Sequence, residues 1–309
     1  LQPLGRYIQR NEATMDKAFN RTSVVLMFVF PAFLVFSLFV VVTVFWAASY
    51  SVYDWNGMGE KTFVGFKNYL TLLQVDRNFW TSVKNTLFYT VWQILLQVFG
   101  GLLIAIFLTR VIRFRATLQT MYYIPVVIST VAITQIFGKL LSVTPPGVVN
   151  SLLALINPDW RYLEWVSNPR ISLFIVAFVE GYKYIGLYMI IFYAALVGVP
   201  EELGEAATID GANLFQQYMH IKIPYIRPVI IANIVLVLNG SLRSFDFSYL
   251  LTRDGPGNSS ELMATYMYKQ AFSSLKYGYG SAVAILIVIM CLIIGSVFRR
   301  LSRDSQEVI

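Results

Sequence analysis

Charge is scarce in this chain: only 13% of its 309 residues are Asp, Glu, Lys or Arg, while 57% are hydrophobic. A soluble domain carries roughly a quarter charged residues and a little under half apolar ones. A soluble globular class is therefore excluded, and an integral membrane protein is expected. Cysteine is almost absent. The one Cys291 lies inside an apolar run, which excludes a disulfide framework within the chain and reads as a packing residue. A single histidine, His220, excludes a multi-histidine metal site, and zinc or haem chemistry is not expected. The phosphate-loop pattern G-x-x-x-x-G-K followed by Ser or Thr is missing, so nucleotide hydrolysis is expected on another polypeptide. No nucleophile–base pair, paired intramembrane carboxylates, internal repeat or low-complexity tract stands out. An intramembrane enzyme is thus disfavoured, and one domain without a metal or cofactor of its own is expected.

What the chain does have is aromatics, at 16%, and six long apolar runs. A membrane-spanning helix needs roughly 20 predominantly apolar residues. Runs of that kind predict helices over Val24–Ser49, Phe79–Leu108, Leu118–Leu141, Ile171–Val197, Val229–Leu251 and Gly278–Phe298. The formal charge of +7 does not form a basic patch with interleaved aromatics, so nucleic acid is not an expected partner. The basic residues sit instead at the ends of the runs, where they report orientation. One face takes Arg6, Arg10, Lys17, Arg21, Arg110, Arg113, Arg115, Lys222, Arg227, Arg299, Arg300 and Arg303. The other takes Lys61, Lys67, Arg77, Arg161, Arg170, Arg253, Lys269 and Lys276, with longer loops. The richer face is expected to be cytoplasmic and to hold both termini, residues 1–23 and 301–309. The first run is too long for a signal-peptide core and reads as an uncleaved helix. The chain opens on Leu1 rather than methionine, which fits a trimmed start. Trp55, Trp80, Trp160 and Trp165 in the opposite loops read first as interfacial anchors.

Between the fourth and fifth runs lies a polar insert, Pro200-EELGEAATIDGANLFQQYMHIKI-Pro224, within a connecting loop over residues 198–228. Pro200 ends the preceding helix. Glu201, Glu202 and Glu205 favour the positive end of a short helix. Ala206 and Ala207 give that helix a small-residue face. Gly211 follows Asp210 and suits the left-handed conformation that stops a helix. Asn213 then caps a second helix carrying Leu214, Phe215, Tyr218 and Met219, which Pro224 and Pro228 close. An ordinary connecting loop is shorter and more basic than this one.

The spacing Glu205-Ala206-Ala207, three residues, Gly211, nine residues, Ile221-x-Ile223-Pro224 resembles the EAA loop of binding-protein-dependent ABC importer permeases. Isoleucine stands before the proline where that family more often has leucine. Val64-Gly65-Phe66-Lys67-Asn68-Tyr69, Asn85-Thr86-Leu87, and Leu250-Leu251-Thr252 with Gly255-Pro256 are similar to the carbohydrate branch, of the maltose-permease type. The resemblance covers about residues 24–300. It implies an all-α, six-helix type I permease fold in a bacterial cytoplasmic membrane. It also implies a homologous second permease, two ATP-binding cassette subunits that hold Mg-ATP, and an extracytoplasmic solute-binding protein. The helix Leu203–Asp210 would be the coupling helix, with Glu205, Ala206, Ala207, Asp210, Gly211, Ala212 and Pro224 making the ATPase contact.

Polar residues inside spans are costly and generally face a cavity or a partner. The fourth run carries Glu180, Lys183, Tyr184 and Tyr188 at helical spacing, and the fifth carries Asn239, Gly240, Ser241, Arg243, Ser244 and Asp246. Hydroxyls, amides and ring faces suit a neutral sugar. Two readings stand for each cluster: cavity lining, or local neutralisation of Glu180 by Lys183 and of Asp246 by Arg243. The resemblance favours Gly240, Ser241 and Ser244 on a sugar path. Gln93, Gln97 and Gln135 read as interior amides bonding between helices. Arg243 keeps open a permease for a glycerol phosphate ester or an amino acid. An ion-coupled secondary transporter is the rival from another class, although it usually brings repeat symmetry.

Overall fold

The computed structural model describes residues 22–111 and 113–303. The tails, with the orienting charges Arg6, Arg10, Lys17 and Arg21, lie outside the described residues. Four continuous helices are long and apolar enough to cross a bilayer: α1 (Leu26–Tyr50), α3 (Arg77–Arg110), α7 (Ser172–Val197) and α13, whose apolar part is Tyr277–Val297. They match the first, second, fourth and sixth predicted runs.

The other two spans are broken, where continuous helices were expected. The third is α4 (Arg115–Val127) joined to α5 (Thr130–Leu140) at a 98° bend. Ser129 caps α5 by accepting from the Ala132 amide at 3.2 Å, so the backbone restarts there rather than continuing. The fifth is α10 (Arg227–Leu242) and α11 (Asp246–Leu251), separated at Arg243–Phe245. At about 24 Å, from 1.5 Å per residue, α10 alone falls short of a hydrocarbon core of roughly 30 Å. Preceding it are α8 (Glu201–Ile209) and α9 (Leu214–Tyr225), the latter meeting α10 at 67°.

Short elements fill the end of the bundle opposite α8 and α9. They are a two-residue hairpin pairing Tyr53 with Phe63, α2 (Lys67–Gln74), α6 (Val148–Leu153) and α12 (Met263–Tyr268). Two of the tryptophans there tie the chain to itself. Trp165 donates to Asn150 Oδ1 at 2.7 Å and Trp80 to the Leu73 carbonyl at 2.9 Å. Asp76 caps α3 through the amides of Asn78 and Phe79 and accepts from the hydroxyls of Tyr266 and Tyr279. Burial pushes its carboxyl up, but those hydrogen bonds outweigh it and hold the group below the usual carboxylate range. Glu261 is fully buried; burial raises its carboxyl, opposed by Lys269, whose ammonium lies 3.2 Å away.

The central strut is α7. Of its apolar window 56% is buried, against none of that of α1. It joins two of the three core clusters. One gathers Val98, Leu102 and Leu108 of α3 with Met189, Phe192 and Leu196 of α7, Val237 of α10, and Tyr218 and Ile226 before α10. A second gathers Tyr89, Ile133, Val176, Val179 and Phe247. The third, centred on Leu72, Phe79, Met263, Tyr266 and Val283, sits at the far end.

Lipid tails are as apolar as leucine, so spans associate through close backbone approach at small residues. Gly186 of α7 shows this: a Cβ there would overlap the Tyr122 carbonyl of α4. Since that obstacle is backbone, it cannot rotate away. Gly186→Ala is expected to push α4 from α7 and lower the thermal midpoint of the detergent-solubilised protein by several degrees. Gly138→Ala, with open space around its Cβ, serves as the neutral control.

Candidate functional site

Two sites emerge, one inside the bundle and one at its end. The inner site forms at the break in the fifth span. Glu180 of α7 is 8% exposed, and its Oε2 accepts from the Tyr89 hydroxyl of α3 and from Ser244 Oγ at 2.7 Å. Tyr89 and Ser244 also lie 3.2 Å apart. A buried carboxylate demands such donors, and Ser244 can reach it only because the helix has stopped at Leu242. The carboxylate and the break hold each other in place.

Lys183, one turn along α7, does not pair with Glu180. Its ammonium donates to the carbonyls of Val126 and Ile128, at 3.2 and 2.5 Å. Those carbonyls are orphaned where α4 ends, and a cation at a helix C-terminus is favourable. Lysine and glutamate on one helix thus serve two different broken helices. Neutralisation of Asp246 by Arg243 is likewise overturned. The one salt bridge among the described residues is Lys269–Glu261, and Arg243 Nε donates instead to the Asn239 carbonyl at 3.1 Å.

Around this break lies a cavity of about 310 Å³, lined by Gln97, Glu180, Tyr184, Tyr188, Gly240, Ser241, Arg243, Ser244, Phe245 and Asp246 among others. It brings together Tyr184, Tyr188, Gly240, Ser241, Arg243, Ser244 and Asp246 from the sequence reading. Asn239 does not line it; its amide donates to the Val235 carbonyl at 2.9 Å. Ser241 lines it with a hydroxyl that also donates to the Val237 carbonyl at 2.8 Å. Gln97, Leu187, Val237, Phe245 and Phe247 also line it and were not expected from the sequence, while Tyr89 stands behind the lining, fully buried. Tyr89, Gln93 and Gln97 fall at i, i+4 and i+8 on one face of α3, a periodicity that marks them as a group. Gln97 donates to Gln93, which donates to the Ala177 carbonyl of α7 at 3.0 Å, bonding between helices as expected. Gln135 instead points outward and is exposed, so its reading as an interior amide is overturned.

The second site is built from α8 and α9. After α8 the chain turns on Gly211, whose φ is +80°, a conformation that costs other residues strain. The Gly211 and Ala212 amides donate back to the carbonyls of Thr208 and Ala207, at 3.1 and 2.9 Å. Asn213 and Gln216 form a reciprocal capping box that starts α9, and Gln217 donates to Thr208 Oγ1 at 3.0 Å, tying α9 to α8. Ala206 and Ala207 part company here: Ala206 is exposed and Ala207 is buried against the turn. The outward face is therefore Glu201, Glu202, Glu205, Ala206, Ile209, Asp210 and Gly211, with Ile209 87% exposed. The second helix ends one residue past Pro224, and Pro228 stands in the first turn of α10, as expected. A wide turn over Tyr218–Lys222 precedes Pro224.

One side chain joins this module to the spans. Tyr218 is buried, lies 2.6 Å from Thr109 Oγ1 through its hydroxyl, and is faced by Arg110 and Lys222 at 4.9 and 5.0 Å from its ring centre.

The described residues thus form a helical bundle with broken third and fifth spans, a polar cavity at the fifth-span break and a protruding helix–turn–helix. Residues 97–306 match the family described as "Binding-protein-dependent transport system inner membrane component", and the chain belongs to that family. It is 33% identical over 284 residues to the probable ABC transporter permease protein YurN of Bacillus subtilis, covering 91% of this chain and 96% of that one. It is 31% identical over 273 residues to the arabinooligosaccharides transport system permease protein AraP of the same organism, covering 88% and 85%. Among solved structures, a bacterial ABC transporter involved in the import of the acidic polysaccharide alginate has a chain that superposes with a TM-score of 0.80 at 24% identity, covering 94% of this chain and 99% of that chain. The type I ABC importer permease fold expected from the sequence is thus the fold found.

Proposed function

We propose that this chain is one permease subunit of an ATP-driven importer for a neutral sugar or oligosaccharide. The cavity at the break carries this reading. It offers hydroxyls, two carboxylates and four aromatic rings around the break in the fifth span, which are the groups that recognise a polyhydroxylated ring. Glu180 and Asp246 outnumber Arg243, so the lining disfavours an anion such as a glycerol phosphate ester. The name of the arabinooligosaccharide relative supports the same class.

In this reading the sugar arrives on an extracytoplasmic solute-binding protein, and a homologous second permease completes the cavity. Two ATP-binding cassette subunits hydrolyse Mg-ATP and grip the outward face of α8. Glu205, Ala206, Asp210 and Gly211 make that contact; Ala207, Ala212 and Pro224 shape the turn and the rigid exit behind it. Tyr218 passes the displacement to α3 through Thr109 and Arg110. Transport is then a rocking of packed helices between two states. Both termini and α8 face the cytoplasm.

The test is the specificity of the receptor that copurifies with this chain. Isothermal titration with neutral di- to hexasaccharides, glycerol phosphate and amino acids is expected to give binding for a saccharide alone. Binding of glycerol phosphate or an amino acid, with no saccharide bound, contradicts the substrate class.

A further inference from the structure

Beyond the cavity, aromatic rings run in unbroken contact toward the end of the bundle where the first span finishes and the sixth begins. Phe245, in the break, stacks on Tyr249 with centres 4.9 Å apart and planes 19° from parallel. Both rings meet Tyr268 of α12, at 5.1 and 5.3 Å. Tyr268 meets Phe272 at 5.1 Å, Phe272 meets Tyr277 at 5.6 Å, and Tyr277 meets Trp55 at 5.8 Å. Four separate segments supply these rings: the break with α11, the stretch from α12 to Phe272, the start of α13, and the hairpin loop.

Three observations set the ladder apart from core packing. Its rings are not sealed, with Tyr249 37% and Phe272 52% exposed. None of the six belongs to the buried residues of the three core clusters. Its inner end is continuous with the cavity, because Phe245 and Arg243 line both that cavity and an adjoining apolar hollow of about 390 Å³ that Tyr268 also walls. Ring centres about 5–6 Å apart are spaced comparably with the length of one sugar unit. A flat aromatic face takes the C–H face of a pyranose or furanose ring, and the hydroxyls of Tyr249, Tyr268 and Tyr277 offer the polar edge.

The geometry points to a saccharide track, in which Tyr249, Tyr268 and Phe272 pass successive sugar units from the far mouth to the cavity at the break. The track deepens the sugar-importer reading and rests on it. Its occupant is a saccharide chain rather than a lipid tail, because the run of rings ends in the polar cavity. It also bears on length: an oligosaccharide engages several rungs at once and a disaccharide fewer.

The experiment measures uptake of neutral arabino- and gluco-oligosaccharides, from two to six units, by the whole importer in proteoliposomes with its receptor. Tyr249→Ala and Phe272→Ala are each expected to lower uptake of the longer chains about threefold to tenfold. The loss should be smaller for disaccharides, and Tyr249→Phe and Phe272→Tyr should restore uptake by returning a ring. Copurification of the partner subunits and receptor binding of the sugar stay at the unsubstituted level. Since both rings are partly exposed, these variants test the track without emptying the core. Undiminished uptake in both alanine variants, or equal losses at every chain length, overturns the track while leaving the sugar reading intact. If the unsubstituted importer carries no saccharide of the panel, the sugar reading itself fails and the track falls with it.

Discussion

Gly211→Val is expected to abolish ATP-driven uptake while the receptor still binds its sugar. Two quantities decide this. The backbone at Gly211 has a φ of +80°, which costs a side-chain-bearing residue about 1–2 kcal/mol. Within this chain, however, nothing lies within 4 Å of where its Cβ would stand. The substitution therefore meets no obstacle inside the protein, and its strain alone is too small to unfold a bundle of six spans. A large effect must come from what sits outside, against the face bearing Ala206, Ile209 and Asp210. Gly211→Asn separates the two causes, because asparagine tolerates positive φ but still projects from the turn. Both variants are expected to copurify with less ATPase and to lose uptake at least about tenfold, a loss of roughly 1.4 kcal/mol in coupling. Uptake and ATPase recovery at the unsubstituted level in both variants contradict the docking role of α8.

The second large effect is expected at Glu180. Glu180→Ala leaves the hydroxyls of Tyr89 and Ser244 without their shared acceptor in mid-span. The two hydroxyls lie 3.2 Å apart and can bond to each other, which leaves one donor unpaired, and an orphaned buried polar group costs about 1–3 kcal/mol. Ser244 also loses its tie across the break, so Arg243, Ser244 and Phe245 are no longer held at the cavity. Glu180→Gln keeps a carbonyl oxygen for the same donors and is expected to be much milder. The checks are a thermal unfolding midpoint of the purified complex and its sugar uptake. The alanine variant should fall in both, and the glutamine variant should retain most of each. An alanine variant with unchanged stability and uptake would remove the carboxylate from the account.

Why one of these residues was legible in the sequence and the other only in part is a matter of range. Gly211 acts through neighbours within five residues: Asp210 before it, Thr208 and Ala207 behind it, Asn213 ahead. Local rules for helix stops and caps suffice there. Glu180 stood out as a costly charge in an apolar run, but its partners Tyr89 and Ser244 lie 91 and 64 residues away. Spacing alone offered Lys183, one turn along, and the fold gives Lys183 to the end of α4 instead. Hydropathy located the six spans because length and apolarity are additive along the chain. It was blind to the breaks, since Ile128-Ser129 and Arg243-Ser244-Phe245 interrupt the backbone without interrupting the apolar run by much. The aromatic ladder was hidden for the same reason as Glu180's partners. Its rings come from four segments, and Trp55 was legible only as an interfacial anchor.

In the proposed importer, α8 is gripped by an ATP-hydrolysing partner. Ile209, 87% exposed on that helix, is the place to test it. In a Cys291→Ser background, Ile209→Cys carried by the assembled importer should cross-link to a second chain under mild oxidation or with a short bifunctional reagent. That second chain is expected to carry the phosphate-loop sequence, and cross-linking is expected to stop uptake until the link is reduced. A cross-link to no ATPase in a complex that still imports, or sugar uptake by this chain reconstituted alone, contradicts it.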